Sequence, residues 1–424
     1  MRWFVLALLS LGLLIDFADK SIMGFAADPI MKEFHLTYSE WGIAGGAAFW
    51  LFSIVGVIGA ALSDKVGTKK MLGFMIFFWS ILQLGAFAVT GLSVLVLYRA
   101  LLGAGEGPFT PTAMSHIEKW FAPESRGLAA SIFINGSNVG SLVGAPVLVT
   151  MIVHFGWRIA FASLGILGFV VFIAWIFCPE KPKFKGLQTE LGEDKDFPRK
   201  KFIWSEFYPI LLSPACIFTL LIGFSSMWLT VWSAVWMPNY FTSVIHLTPE
   251  GMGWAVSAIG VIMIIVSTLI SYFSDRMFAK NQDFRKSRVM VTGSSMVVTG
   301  LILSSLVLAH SELWAIIVFG FGIGLSQLAF IMLPQIMIRL LPERAGLMAS
   351  IVTSFMNIAG IIGPMMTGFA LQSAGHNVTL GFDHSILFIA AGLVLFGLLF
   401  SLFVDPDKKM RHLEPAIVKD SSLN

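Results

Sequence analysis

Five ionisable residues stand inside long apolar runs: Asp16, Asp19 and Lys20 in "LLIDFADKSIMGF", and Arg99 and Glu106 in "RALLGAGEGPF". Charged groups in such surroundings are costly and by default mark ion or substrate handling. Arg99 and Glu106 are seven positions apart, two helical turns, so on a helix they face one way roughly 10 Å apart. Asp16 and Asp19 lie about one turn apart, and Lys20 points about 100° from Asp19. A shared central cavity would let Asp19 pair with Arg99 or Lys20 and give Glu106 a changing partner. A carboxyl facing a dry cavity holds its proton more tightly, and a nearby cation loosens it again. If an anion draws that cation away, proton uptake follows. These residues therefore predict proton coupling at Asp19 and Glu106, and anion binding at Lys20 and Arg99.

The elements that must carry them are membrane spans. The 424 residues are 56% hydrophobic and 12% charged, with mean hydropathy +0.82, about half the charge of a soluble domain. A span needs about 20 apolar residues, which gives twelve: 4–28, 41–62, 71–90, 93–115, 127–153, 157–178, 206–237, 251–274, 289–309, 313–338, 346–372 and 382–404. These runs are too long for barrel strands, so an all-α integral membrane protein is expected. With both termini cytoplasmic, 24 of the 28 Lys and Arg residues fall inside, as the positive-inside rule requires. Only Lys32 and Arg158 fall outside; Lys20 and Arg99 are within spans. No cleavable leader is evident, so the first span is expected to stay in the membrane.

The polar segment from Pro179, rich in mixed charge, divides the chain: a six-span half over 1–178, a cytoplasmic linker over 179–205, a second half over 206–404 and a cytoplasmic tail over 405–424. An internal repeat supports the division. "PESRGLAASI" from Pro123 matches "PERAGLMASI" from Pro342 at seven of ten positions, and the register carries Asn138 onto Asn357. Both amides are candidate substrate contacts. A second echo, "ALSDKVGTKK" against "YFSDRMFAK", places an acid at a helix end followed by bases. Charge and helix-dipole contacts there can pin a cytoplasmic turn, so Asp64, Lys65, Gly67, Lys70, Asp275 and Arg276 are candidate gating residues. All five interior charges lie in the first half; the second is expected to shape and close the site.

With two cysteines, Cys178 and Cys216, no disulfide framework or metal site is expected. No phosphate-binding Gly-x4-Gly-Lys-Ser/Thr motif occurs, which disfavours a nucleotide-driven pump. No cofactor, nucleic acid or enzymatic activity is expected, and the working unit is expected to be a monomer.

Twelve spans in two halves, with "LSDKVGTKK" between spans 2 and 3, resemble the major facilitator superfamily. Ala60 stands where that loop pattern usually opens with Gly. Within it, "DK" at Asp19-Lys20, "RALLGAGEGPFTPTAMSHIEKWF" from Arg99, "ESRGLAAS" from Glu124 and "GWRIAF" from Gly156 resemble the anion:cation symporters. "WMPNYF" in span 7 and "NIAGIIGP" in span 11 are the best second-half matches. The resemblance implies proton coupling at Asp19 and Glu106, and substrate binding and gating at Lys20 and Arg99. It puts Lys20 where Arg is usual, Asp16 where Asn is common, and Phe52 where a cavity Tyr is frequent in sugar-acid carriers. The expected function is proton-coupled import of a small organic anion, such as a sugar acid, across a bacterial plasma membrane by alternating access. Drug/proton antiport, exchange and a transport-dead sensor are the alternatives.

Overall fold

The computed structural model describes residues 1–180 and 204–406. The linker and tail expectations fall almost wholly outside these residues. Every described element is helical. Nine helices among the described residues are long and apolar enough to cross a membrane. Span 1 misses that criterion because Asp16, Asp19 and Lys20 crowd one stretch. Span 4 misses it because the chain breaks at Gly107 and Pro108, between helices Leu92–Glu106 and Phe109–Trp120.

Two compact units emerge, and they do not coincide with the two sequence halves. The first takes in residues 1–180, 232–260 and 361–381; the second takes in 204–231, 261–360 and 382–406. The first unit thus contains spans 1–6 and, with them, the ends of spans 7, 8 and 11 expected to face outward.

In the first unit, span 1 is the helix Arg2–Phe25, continued after a break at Ala26 by Ala27–Phe34. His35 then turns the chain in the left-handed region at φ 52°. Thr37 restarts it with a capping box: its hydroxyl accepts from the Glu40 amide at 3.3 Å, and the Glu40 carboxylate accepts from the Thr37 amide at 2.8 Å. Such reciprocal caps satisfy two orphan donors at a helix start. Span 5, Pro123–Phe155, lies close along span 1. A Cβ at Gly140 would sit 2.6 Å from the Leu14 carbonyl oxygen, so only a small residue permits this approach. The turn between spans 2 and 3 rests on Gly67 at φ 97°, which glycine reaches without steric cost.

The pieces of spans 7 and 11 in this unit pack on spans 1 and 2. Asn239 donates to Asp28 Oδ1, and the Thr242 hydroxyl donates to Asp28 Oδ2 at 3.2 Å. Trp236 Nε1 donates to the Pro364 carbonyl at 3.2 Å.

In the second unit, the run expected as one span from 206 is divided. A helix Trp204–Leu211 ends, and Pro214–Val235 begins anew. The cause is local: Ser213 Oγ accepts from the Cys216 amide at 3.2 Å, an N-cap placed just before a first-turn proline. Span 10 is likewise divided at Gln327, between Glu312–Ser326 and Leu328–Leu340. Ser226 and Ser326 join spans 7 and 10 through hydroxyls 2.8 Å apart. Cys178 and Cys216 are both free and buried.

Candidate functional site: a charge cluster on spans 1 and 4

The five interior charges meet in the first unit as two linked groups. In the deeper one, Arg99 Nη1 donates to Asp19 Oδ2 at 2.8 Å, and Gln83 Nε2 donates to Asp19 Oδ1 at 3.3 Å. Arg99 is 2% exposed and Asp19 is fully enclosed. In the other, Lys20 Nζ donates to Asp16 Oδ1 at 2.7 Å and lies 3.7 Å from Glu106 Oε2. The i, i+4 spacing of Asp16 and Lys20 places both on one helix face, whereas Asp19 turns to span 4. Lys20 is the part-exposed member of the cluster, with its side chain 19% exposed; Asp16 and Glu106 are buried.

Phe52 completes the second group. The Lys20 ammonium lies 4.9 Å from the Phe52 ring centroid and 5.0 Å from that of Phe17, a cation–π arrangement that holds a desolvated cation. The break in span 4 explains why these residues converge. Gly107 lies against the Phe52 carbonyl, where a Cβ would clash, so the last turn before the break brings Glu106 beside span 2. Pro108 supplies no amide to continue the helix.

Glu106 Oε2 is buried without a hydrogen-bond partner among the described residues, as are Arg99 Nε and Gln83 Oε1. Lys20 at 3.7 Å is the cation facing Glu106 Oε2. The arrangement offers one accessible cation held between two carboxylates, next to a closed, neutral Asp19–Arg99 pair. Such a cation can be handed to an incoming anion when its carboxylate partners become protonated.

Asn138 lies within the helix of span 5, but its side chain is not among those described. Asn357 is half-buried on span 11, in the second unit. Asp64 closes span 2 with its side chain likewise undescribed, and Lys65 and Lys70 are exposed. Asp275 pairs with Arg288 at 2.6 Å, not with its neighbour Arg276, which donates instead to the Tyr272 hydroxyl at 3.3 Å. The turn between spans 8 and 9 is therefore held by a pair that joins the two spans. Sequence reasoning missed Gln83, although a lone amide in an apolar span was a signal. It also missed Asp28 and Asn239, which sit near span ends where polar residues are unremarkable.

Outside the spans, Glu33 binds the start of span 6: its carboxylate accepts from Trp157 Nε1 at 2.8 Å and from Arg158 Nη1 at 2.9 Å. The Arg158 hydrogen bond, reinforced by that of Trp157, holds the Glu33 carboxyl below its ordinary range.

The fold and this cluster define a multi-pass membrane carrier, and comparison with known proteins agrees. The family model described as "Major Facilitator Superfamily" matches residues 9–364 and 233–423. The chain belongs to the major facilitator superfamily and is a secondary transporter, not an enzyme. Among curated relatives, a hexuronate transporter of Bacillus subtilis is 24% identical over 400 residues, covering 92% of each chain. A chloroplastic ascorbate transporter of Arabidopsis thaliana is 24% identical over 417 residues, covering 96% of this chain and 75% of its own. Among solved structures, a bacterial homologue of the human lysosomal transporter Spinster, inward-facing and occupied, superposes with a TM-score of 0.77. It is 17% identical, with 95% of this chain and 96% of that one covered, and supports the fold alone.

Proposed function

We propose that this protein imports a small organic anion, such as a sugar acid, together with protons. The observation that carries the reading is Lys20, part-exposed and shared between the buried carboxylates of Asp16 and Glu106. While both carboxylates are ionised, the neighbourhood of Lys20 is net negative and repels an anion. A proton on Glu106 removes one competitor for the ammonium and makes the group neutral, so that an anion is no longer repelled. Asp19 and Arg99 form a second, closed reserve: protonation of Asp19 frees the guanidinium to join the anion or open the span 1–span 4 contact. Asn138 and Asn357 remain the candidate amides for hydroxyl recognition. The names of the hexuronate and ascorbate relatives fit a polyhydroxylated carboxylate or enolate of this size.

Alternating access requires the outer ends of spans 7 and 11 to part from spans 1 and 2 during the cycle. The Asp28–Asn239 and Asp28–Thr242 hydrogen bonds are the ones that must break there. The turns at Asp64–Lys70 and at Asp275–Arg288 are the corresponding latches on the side expected to face the cytoplasm.

The test is uptake into proteoliposomes under an imposed proton gradient. Radiolabelled D-glucuronate, D-gluconate, D-glucarate and ascorbate are offered with acid outside, then with the gradient collapsed by a protonophore. Uptake of at least one anion should rise with acid outside and fall with the protonophore. Equal uptake with and without the gradient refutes symport and leaves exchange; gradient-driven uptake in the opposite direction indicates antiport.

A further inference from the structure

The geometry points to Asp16 as an additional coupling carboxylate, one that releases Lys20 to the anion and takes up a proton of its own. The inference rests on the proposed symport and concerns the number of protons that each anion carries.

It starts from a count of charge. Span 1 supplies Asp16, Asp19 and Lys20, and span 4 supplies Arg99 and Glu106. Span 2 contributes the Phe52 ring and span 3 the neutral amide of Gln83. The sequences of spans 5, 7, 8, 10 and 11 hold no acidic or basic side chain over 127–153, 214–237, 251–274, 313–338 and 346–372. Three carboxylates therefore face two cations. The Asp19–Arg99 pair is sealed and sums to zero, which leaves Asp16, Glu106 and Lys20 with an excess of one negative charge.

One proton, on Glu106, makes this group neutral but does not free Lys20. Its ammonium still donates to Asp16 at 2.7 Å, a much closer contact than its 3.7 Å approach to Glu106. An anion that takes Lys20 from Asp16 strands a carboxylate that is only 4% exposed. Breaking a buried pair on one side leaves an uncompensated charge, which is strongly unfavourable. Protonation of Asp16 removes that charge, so anion binding at Lys20 and proton uptake at Asp16 occur together. On the return of the empty carrier, Lys20 falls back onto Asp16 and the proton is released. Each anion thus moves one proton more than Glu106 and Asp19 would carry alone.

The experiment compares wild type with Asp16→Asn in proteoliposomes, using whichever of D-glucuronate and D-glucarate the wild type transports. Charge per anion is read from the membrane potential, set with potassium and valinomycin, that brings net flux to zero at fixed gradients. The variant should move one charge fewer per anion. Its accumulation ratio should therefore gain one factor of ten less per ~59 mV of inside-negative potential. Asp16→Glu, which keeps the carboxyl, should retain the wild-type charge. Equal charge per anion in wild type and Asp16→Asn overturns the inference and leaves the proposed symport standing. Absence of any proton-driven uptake in the wild type overturns both. Asp16→Ser provides the same comparison where the Asn variant fails. Loss of anion exchange in both neutral variants, with monodisperse protein, overturns the inference in favour of Asp16 as a fixed anchor for Lys20.

Discussion

Replacing Glu106 by Gln should tighten anion binding at alkaline pH, a direction opposite to that expected if Glu106 were a structural prop. Glu106 Oε2 stands 3.7 Å from Lys20 Nζ. At that separation and an effective dielectric of about 20, two unit charges interact by ~4 kcal/mol. Lys20 is partly exposed, and discounting by half leaves ~2 kcal/mol, roughly a 30-fold effect on affinity. This is the attraction that an anion must displace while Glu106 is ionised. The amide in Glu106→Gln is permanently neutral, so the variant should bind D-glucuronate about 30-fold more tightly than wild type near pH 8. The advantage should shrink as the pH falls and the proposed proton uptake at Glu106 removes the same competitor for Lys20 in the wild type. Equilibrium binding in detergent, followed by a scintillation proximity assay as the pH is lowered, reads both ends. Exchange in proteoliposomes should persist while gradient-driven accumulation falls, because one proton is no longer coupled. Binding at pH 8 equal to or weaker than wild type refutes the competition between Glu106 and the anion for Lys20.

Three other outcomes follow from contacts outside the cluster. Asp28→Ala leaves the Asn239 amide, 4% exposed, without its carboxylate partner; this should cost about 1–3 kcal/mol in the contact. It should lower Tm and speed labelling by an impermeant maleimide in an Ala234→Cys background, Ala234 being the residue of span 7 whose carbonyl lies against Gly24 of span 1. Gly67→Ala forces a Cβ into φ 97°, costing about 1–2 kcal/mol, measured as a drop in Tm with anion affinity unchanged. Glu33→Gln tests a pH dependence whose sign is fixed. The native carboxyl titrates below its ordinary value because Arg158 and Trp157 bind the ionised form. Its stabilisation is therefore complete above the unfolded value near 4.5 and is lost as pH falls through the lower native value. The variant should melt below wild type at pH 7, and the gap should close as the pH falls below about 4.

The helices were legible from hydropathy because lipid solvent leaves the backbone little choice, and the five charges were legible because they violate it. Pairing was less so. The i, i+4 relation of Asp16 and Lys20 is written in the sequence, yet which acid meets Arg99 depends on how spans 1 and 4 are rotated against each other. The rotation of span 4 is set by close approaches to its neighbours, such as Gly107 on the Phe52 carbonyl of span 2, which no hydrophobic period encodes. The helix breaks at Ala26 and Gln327 carry no proline and were invisible. The division before Pro214 was masked by the apolar run that continues through it. The partner of Asp275 has the same origin: its neighbour Arg276 faces another way on the helix, and Arg288 comes from the next span.

The second half supplies an internal control on why the first half is charged. In the repeat register of Pro123 and Pro342, the break at Pro108 falls on the break at Gln327. The same register carries Arg99 onto Val318 and Glu106 onto Leu325. Aligning the breaks at Ala26 and Trp236 likewise carries Asp16 onto Ser226 and Asp19 onto Leu229. Spans 7 and 10 are still joined, but by the Ser226–Ser326 hydroxyls at 2.8 Å. The same joint between two broken helices is thus made once with ions and once with neutral groups. Buried ion pairs add little net stability over neutral replacements, and interhelical hydroxyl bonds serve in lipid at modest energy. Holding spans 1 and 4 together therefore does not require charge. What neutral groups cannot do is couple a proton to an anion, and that is the role proposed for the charges at Asp16, Asp19, Lys20, Arg99 and Glu106.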